Sequence, residues 1–157
     1  MARIDPAAAL RRVLSSSRAE LEFAAKAWIG ALPVELSLAA LGLSPTLRWI
    51  EAVSPARGRP RPSALSVAEG ERAVGRAYRL HLLRGQCLPR SLLQYLLHRR
   101  DGTAVHFIVG VRRSAGSSPG ELRSIDAHAW VEAAGGERPG ARAGEDFEPI
   151  LVSRTAD

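Results

Sequence analysis

Residues 87–111, CLPRSLLQYLLHRRDGTAVHFIVGV, change their periodicity within one short stretch, and that change decides the fold. Leu88, Leu92, Leu93, Leu96 and Leu97 recur at three- and four-residue steps, the spacing of a buried helix. Pro89 lacks an amide hydrogen and fits such a helix only in its first turn, so the helix begins about Cys87 and runs to Arg100. Asp101-Gly102 marks the turn out of it. From Val105 the period is two: Val105, Phe107, Val109 and Val111 alternate with His106, Ile108 and Gly110, as a strand does.

Downstream, the polar stretch from Arg112 to Arg123 is too long for a tight hairpin. A second strand follows, with Ile125, Ala127, Ala129 and Val131 on one face and Asp126, His128, Trp130 and Glu132 on the other. Residues 133–144 are rich in Gly, Ala and Arg, and Phe147–Val152 has the pattern of a third, short strand. Upstream, Ser66-Val67-Ala68-Glu69 fits a capping box and predicts a helix through Val74 and Tyr78 towards Leu83, ended by Gly85. The segment 54–63 sets Pro55, Pro60 and Pro62 among Arg57, Arg59 and Arg61 and reads as a linker or loop. Before it, residues 5–53 carry almost no strand signal. Asp5-Pro6 opens a helix through Leu10, Val13, Leu14, Leu21, Phe23, Ala24, Ala27 and Trp28, which Gly30 and Pro33 are expected to break or bend. A second helix over Val34–Leu41 and a third from Ser44-Pro45 through Leu47, Trp49, Ile50 and Val53 complete this half. The expected class is α+β, with a helical region over 1–53, a linker over 54–63 and a core over 64–157 that packs with the helices as one unit.

The chain has 157 residues, 46% of them apolar, which is enough for one packed domain. Its formal charge is +6, and Lys26 is the one lysine, leaving twenty-one arginines among the twenty-two basic side chains. That balance permits an anionic partner without requiring one, since arginine also suits carboxylate pairing. One cysteine excludes an internal disulfide and a cysteine-built zinc site. The first fourteen residues carry Asp5 and several arginines and do not read as a secretory signal. The most apolar stretch, Ala24–Leu43, is interrupted by Lys26, Pro33 and Glu35, so no membrane span is expected and the expected location is the cytoplasm.

Two residues carry the candidate chemistry. Cys87 opens a helix, where the helix dipole favours an anion and suits a thiolate nucleophile, and Gly85 just upstream leaves bare backbone for a substrate. A lone cysteine is more often a buried, inert space-filler. His128 lies mid-strand on the polar face, and a cysteine peptidase needs an imidazole to take the thiol proton and return one to the leaving amine. A strand histidine satisfied by a neighbouring carboxylate is the plain alternative. His81, His98 and His106 are weaker candidates.

The blocks CLPRSLL (87–93), Val109-Gly110-Val111-Arg112 and AHAWVE (127–132), in that order, resemble the lasso-peptide B2 proteins over about residues 65–152. These are leader peptidases with a transglutaminase-like, papain-related core. The resemblance implies that Cys87 is the nucleophile, His128 the general base, and that an acid orients the imidazole. At the family's usual position for that acid this chain has Pro139-Gly140-Ala141, so the nearest candidates are Asp146, preferred, and Glu145. Asp126 and Glu132 share His128's strand and are poorly placed to orient it. Gln86 is a candidate oxyanion donor, and Trp130 and Arg90 are candidates for the substrate groove. A surface role is the plainer reading of Gln86, pairing with a carboxylate that braces the helix is the plainer reading of Arg90, and core packing accounts for Trp130 equally well.

The implied activity is hydrolysis of a lasso precursor at the end of its leader, freeing the core amine for macrolactam formation by a separate cyclase, the C protein. No cofactor or metal is implied. The implied partners are the precursor's leader and a small B1-type leader-recognition protein, since no strand-rich recognition module is visible in the first half. Two alternatives stay open: transglutaminase-like acyl transfer to an amine by the same Cys–His pair, and a non-catalytic basic module for nucleic acid. The second lacks zinc-finger spacing, an aromatic platform or a confined basic stripe, so no nucleic-acid partner is expected.

Overall fold

The computed structural model describes residues 17–54, 65–80, 87–113, 125–134 and 147–153. Among these residues four helices precede three strands: α1 (Arg18–Leu41), α2 (Leu43–Val53), α3 (Val67–Leu80), α4 (Cys87–Arg100), β1 (Val105–Arg113), β2 (Ile125–Ala133) and β3 (Glu148–Ser153). The class is α+β, as expected.

The first helix differs from the sequence reading in two ways. It starts at Arg18, because extended Ser17 caps it and its hydroxyl accepts from the Glu20 amide at 3.1 Å. The start expected at Asp5-Pro6 lies outside the described residues. It also runs unbroken to Leu41 through Gly30 and Pro33, where a break and a separate helix over 34–41 were expected. Proline removes the hydrogen bond to the Ile29 carbonyl, but Pro33 is exposed and Ile29 is 71% exposed, so water reaches that carbonyl. The inner face (Phe23, Ala27, Ala31, Val34) stays continuous and buried, and its packing outweighs the local cost. Gly30 serves contact instead of bending: a Cβ there would stand 2.9 Å from Leu93 Cδ1 of α4.

By length and composition α1 could cross a bilayer, with a mean hydropathy of 1.3 over its most apolar window. Lys26, Pro33 and Glu35 therefore interrupt the stretch less than expected. Its inner face is nevertheless committed to the core, and Glu20, nearly buried, meets Arg76 of α3 at 3.5 Å.

The remaining helices follow local signals. The Ser66 amide donates to Glu69 Oε2 at 2.9 Å and the Glu69 amide donates to Ser66 Oγ at 3.3 Å, the reciprocal capping box that opens α3. The Ser66 hydroxyl, which also donates to Glu69 Oε2 at 2.8 Å, and after it the Ser66 amide hold the Glu69 carboxyl below its ordinary range. At the end of α4, Gly102 adopts φ +77°, with Gly102 N–H donating to the Arg99 carbonyl and Thr103 N–H to that of His98.

The sheet is antiparallel in the order β2-β1-β3. Gly110 sits opposite His128 and Ile108 opposite Trp130. Pairing with β3 shifts register between Val109 and Gly110, opposite Pro149, a residue that edge strands and bulges tolerate although it has no amide hydrogen for the ladder. Val105, Phe107, Ala129 and Val131 join Leu92, Leu93, Tyr95, Leu96 and Leu97 of α4 in a core that α1, α2 and α3 complete. Arg99, buried, donates to the Ser54 carbonyl at 3.0 Å and ties the end of α4 to the end of α2.

Candidate active site

β2 is an edge strand, and its outer edge faces the first turns of α4. Four consecutive residues, His128 to Val131, wall a cleft of about 180 Å³. α4 supplies Cys87, Arg90, Ser91 and Gln94, and α3 supplies Glu71, Val74 and Gly75. Cys87, half-buried and unpaired, and His128, forty-one positions later, therefore open on one space. Helix geometry puts Cys87 and Ser91 one turn apart on the same side. The Ser91 hydroxyl donates to the Ala129 carbonyl at 2.8 Å, joining the cysteine's helix to the residue that follows His128. Gln94, a turn further, donates to the Val67 carbonyl at 2.8 Å and joins α4 to the start of α3. All three walls are thus tied by hydrogen bonds from α4.

Along β2, the His128 and Trp130 rings lie nearly parallel, 15° apart, with centroids at 6.0 Å. Phe147 closes the group at 5.5 Å from His128. Trp130 is only 7% exposed, and its indole N–H donates to Glu132 Oε1 at 2.8 Å. Gly110 makes room for this ring: a Cβ there would stand 2.7 Å from Trp130 Cη2. Glu132 is engaged by the indole and Asp126 by Arg112 at 3.3 Å. Both same-strand acids thus hold partners other than His128.

Arg90 and Trp130, the two groove candidates, both line the cleft. The bracing carboxylate expected for Arg90 is absent among the described residues. Its guanidinium lies 5.5 Å from the centre of the Tyr78 ring instead. Burial, followed by the nearby Glu35 carboxylate, pushes the Tyr78 hydroxyl well above its ordinary range. Gln86, Glu145 and Asp146 lie outside the described residues, as do His81 and the arginine-rich loop. Of the weaker histidines, His98 is fully buried in the core and His106 is half-buried on β1. Among the described residues no group of acidic, histidine or cysteine side chains is gathered to hold a metal.

The sequence reading missed the α3 wall and the ties made by Ser91 and Gln94. Gly75 was the available signal: a glycine inside a helical pattern marks close approach or open space. Here a Cβ would meet only Arg90 Nη2, at 3.9 Å, and further atoms would enter the cleft. Phe147 was read as strand and is instead part of the aromatic group.

Searches of curated proteins and of solved structures return no match to the chain. The family model described as "Transglutaminase-like superfamily" matches residues 28–152, which covers everything from mid-α1 to the end of β3 save its last residue. A helix that opens at a cysteine and packs against an antiparallel sheet accords with that match, and the chain belongs to the transglutaminase-like superfamily.

Proposed function

We propose that the chain is a cysteine peptidase that removes the leader from a lasso peptide precursor. The superfamily includes cysteine peptidases and acyltransferases, so Cys–His acyl chemistry is its common ground. The observation that carries the reading is that Cys87 and His128, distant in the chain, line one cleft. The CLPRSLL and AHAWVE blocks support the narrower assignment to leader removal.

In this reading His128 takes the Cys87 thiol proton, and the sulfur attacks the scissile carbonyl. The tetrahedral intermediate collapses as His128 gives its proton to the departing core amine, leaving the leader as a thioester on Cys87. Water then attacks with His128 as base, releasing the leader acid and the free thiol. Gln86 and the Cys87 amide are the proposed donors to the oxyanion. Asp146 is the proposed orienting acid, with Glu145 second. A B1-type protein would hold the leader, and a separate cyclase would use the freed amine.

The test has two parts. A short precursor gene and an asparagine-synthetase-like cyclase gene beside this one would identify the substrate. With that precursor, the wild type yields leader and core whose masses sum to the precursor plus one water, while Cys87→Ala and His128→Ala, both folded, yield neither. Cleavage near the parent rate by either variant refutes the assignment, and an isopeptide product would mean transfer to an amine.

A further inference from the structure

We propose that Ser91 is a positioning residue that sets the separation of the Cys87 thiol and the His128 imidazole, an inference that rests on the Cys–His reading above. Ser91 is 7% exposed, one helical turn after Cys87. A serine inside a helix has a local acceptor at hand, the carbonyl four residues earlier, which here is that of Cys87 itself. Its single proton goes instead across the interface to the Ala129 carbonyl at 2.8 Å.

The acceptor's location gives this bond its consequence. The Ala134 amide donates to the Ala104 carbonyl of the neighbouring chain segment, so even-numbered residues of β2 bond inward to β1. Odd-numbered residues therefore turn their amide and carbonyl groups to the outer edge. Ala129 is one of them, and it is covalently next to His128. The Ser91 bond holds this edge against the first turn of α4, one residue from the base and one turn from the nucleophile. Leu92 and Leu93 press the same helix onto the core. Apolar packing of that kind resists separation but tolerates sliding, whereas a 2.8 Å hydrogen bond to a fixed carbonyl also sets register.

The single cysteine makes the test direct, because iodoacetamide reports on Cys87 alone. Alanine fits the helix and removes one oxygen, so Ser91→Ala folds, as far-UV circular dichroism will verify. His128→Ala sets the scale of losing the imidazole. Alkylation at neutral pH is expected to slow by about threefold or more in Ser91→Ala, in the direction of His128→Ala, while Ser91→Thr, which keeps the hydroxyl, stays nearer the wild type. With the precursor, kcat of Ser91→Ala is expected to fall roughly tenfold at little-changed KM. A Ser91→Ala protein that melts earlier but alkylates and cleaves at the wild-type rate overturns the positioning role and leaves the Cys–His reading intact. If His128→Ala itself alkylates like the wild type, the pairing fails and the positioning role falls with it.

Discussion

His98 gives the protein a pH-dependent stability that can be worked from its surroundings. The imidazole is fully buried on α4, 5.1 Å from the Phe23 ring and packed against Gly70, where a Cβ would collide with Nε2. Neither ring nitrogen has a hydrogen-bond partner among the described residues. Burial pushes its pKa down from 6.5 to about 4, with the Asp101 carboxylate opposing in part. On acidification the unfolded chain takes up the proton first, so the neutral ring's contribution is complete above pH 6.5. It is lost as the pH falls from there to about 4. At roughly 1.4 kcal/mol per pH interval the full loss is about 3 kcal/mol, of which about 2 kcal/mol has gone by pH 5. The assay is urea unfolding at pH 7.5 and pH 5 of the wild type and of His98→Leu, which keeps an apolar side chain of similar volume. The other histidines are common to both proteins and cancel. The wild-type midpoint should drop about 1 M further than that of the variant, for a slope of about 2 kcal/mol per molar urea. Parallel pH profiles for the two proteins refute the reasoning.

Gly75→Leu tests the cleft as the substrate's place: it should raise the melting temperature slightly, since leucine is the better helix former by about 0.5–1 kcal/mol, yet cut precursor cleavage roughly tenfold. Unimpaired cleavage would move the substrate elsewhere. Gly110→Ala forces a methyl against Trp130 and the Phe147 Cβ, 3.0 Å away, and should cost about 1–3 kcal/mol together with a shift in tryptophan emission. Wild-type emission and stability would mean that the indole does not lie over this glycine. Ser66→Ala removes the cap of α3 at a cost of about 1 kcal/mol. Because the Glu69 carboxyl is held below its ordinary value, its contribution is present at neutral pH and lost as the pH falls below about 4.5. Thermal melts of Ser66→Ala should therefore lose less on acidification through that range than those of the wild type.

Local signals carried much of this fold. The capping box, the Asp101-Gly102 turn and the change of period after it placed α3, α4 and the strands, because each is settled by bonds among residues close in sequence. The path of α1 was less legible. Gly30 and Pro33 read as breakers until the partner is known: Leu93 explains the glycine, and solvent on the outer face accommodates the proline. At the site, Cys87 and His128 were nameable from residue type and motif, but the cleft that unites them depends on which strand lies at the sheet edge. Strand order is a long-range property, and so are the Ser91–Ala129 and Gln94–Val67 bonds. Neither end of such a bond marks itself in a single sequence.

The most direct measurement is to quench the reaction in acid during turnover and determine the mass of the peptide that contains Cys87. A covalent intermediate predicts a leader-sized addition on that peptide, removed by hydroxylamine as a thioester is, and absent from Cys87→Ala. Release of leader and core with Cys87 unmodified throughout, and equal cleavage by Cys87→Ala, would contradict the assignment of that sulfur as nucleophile.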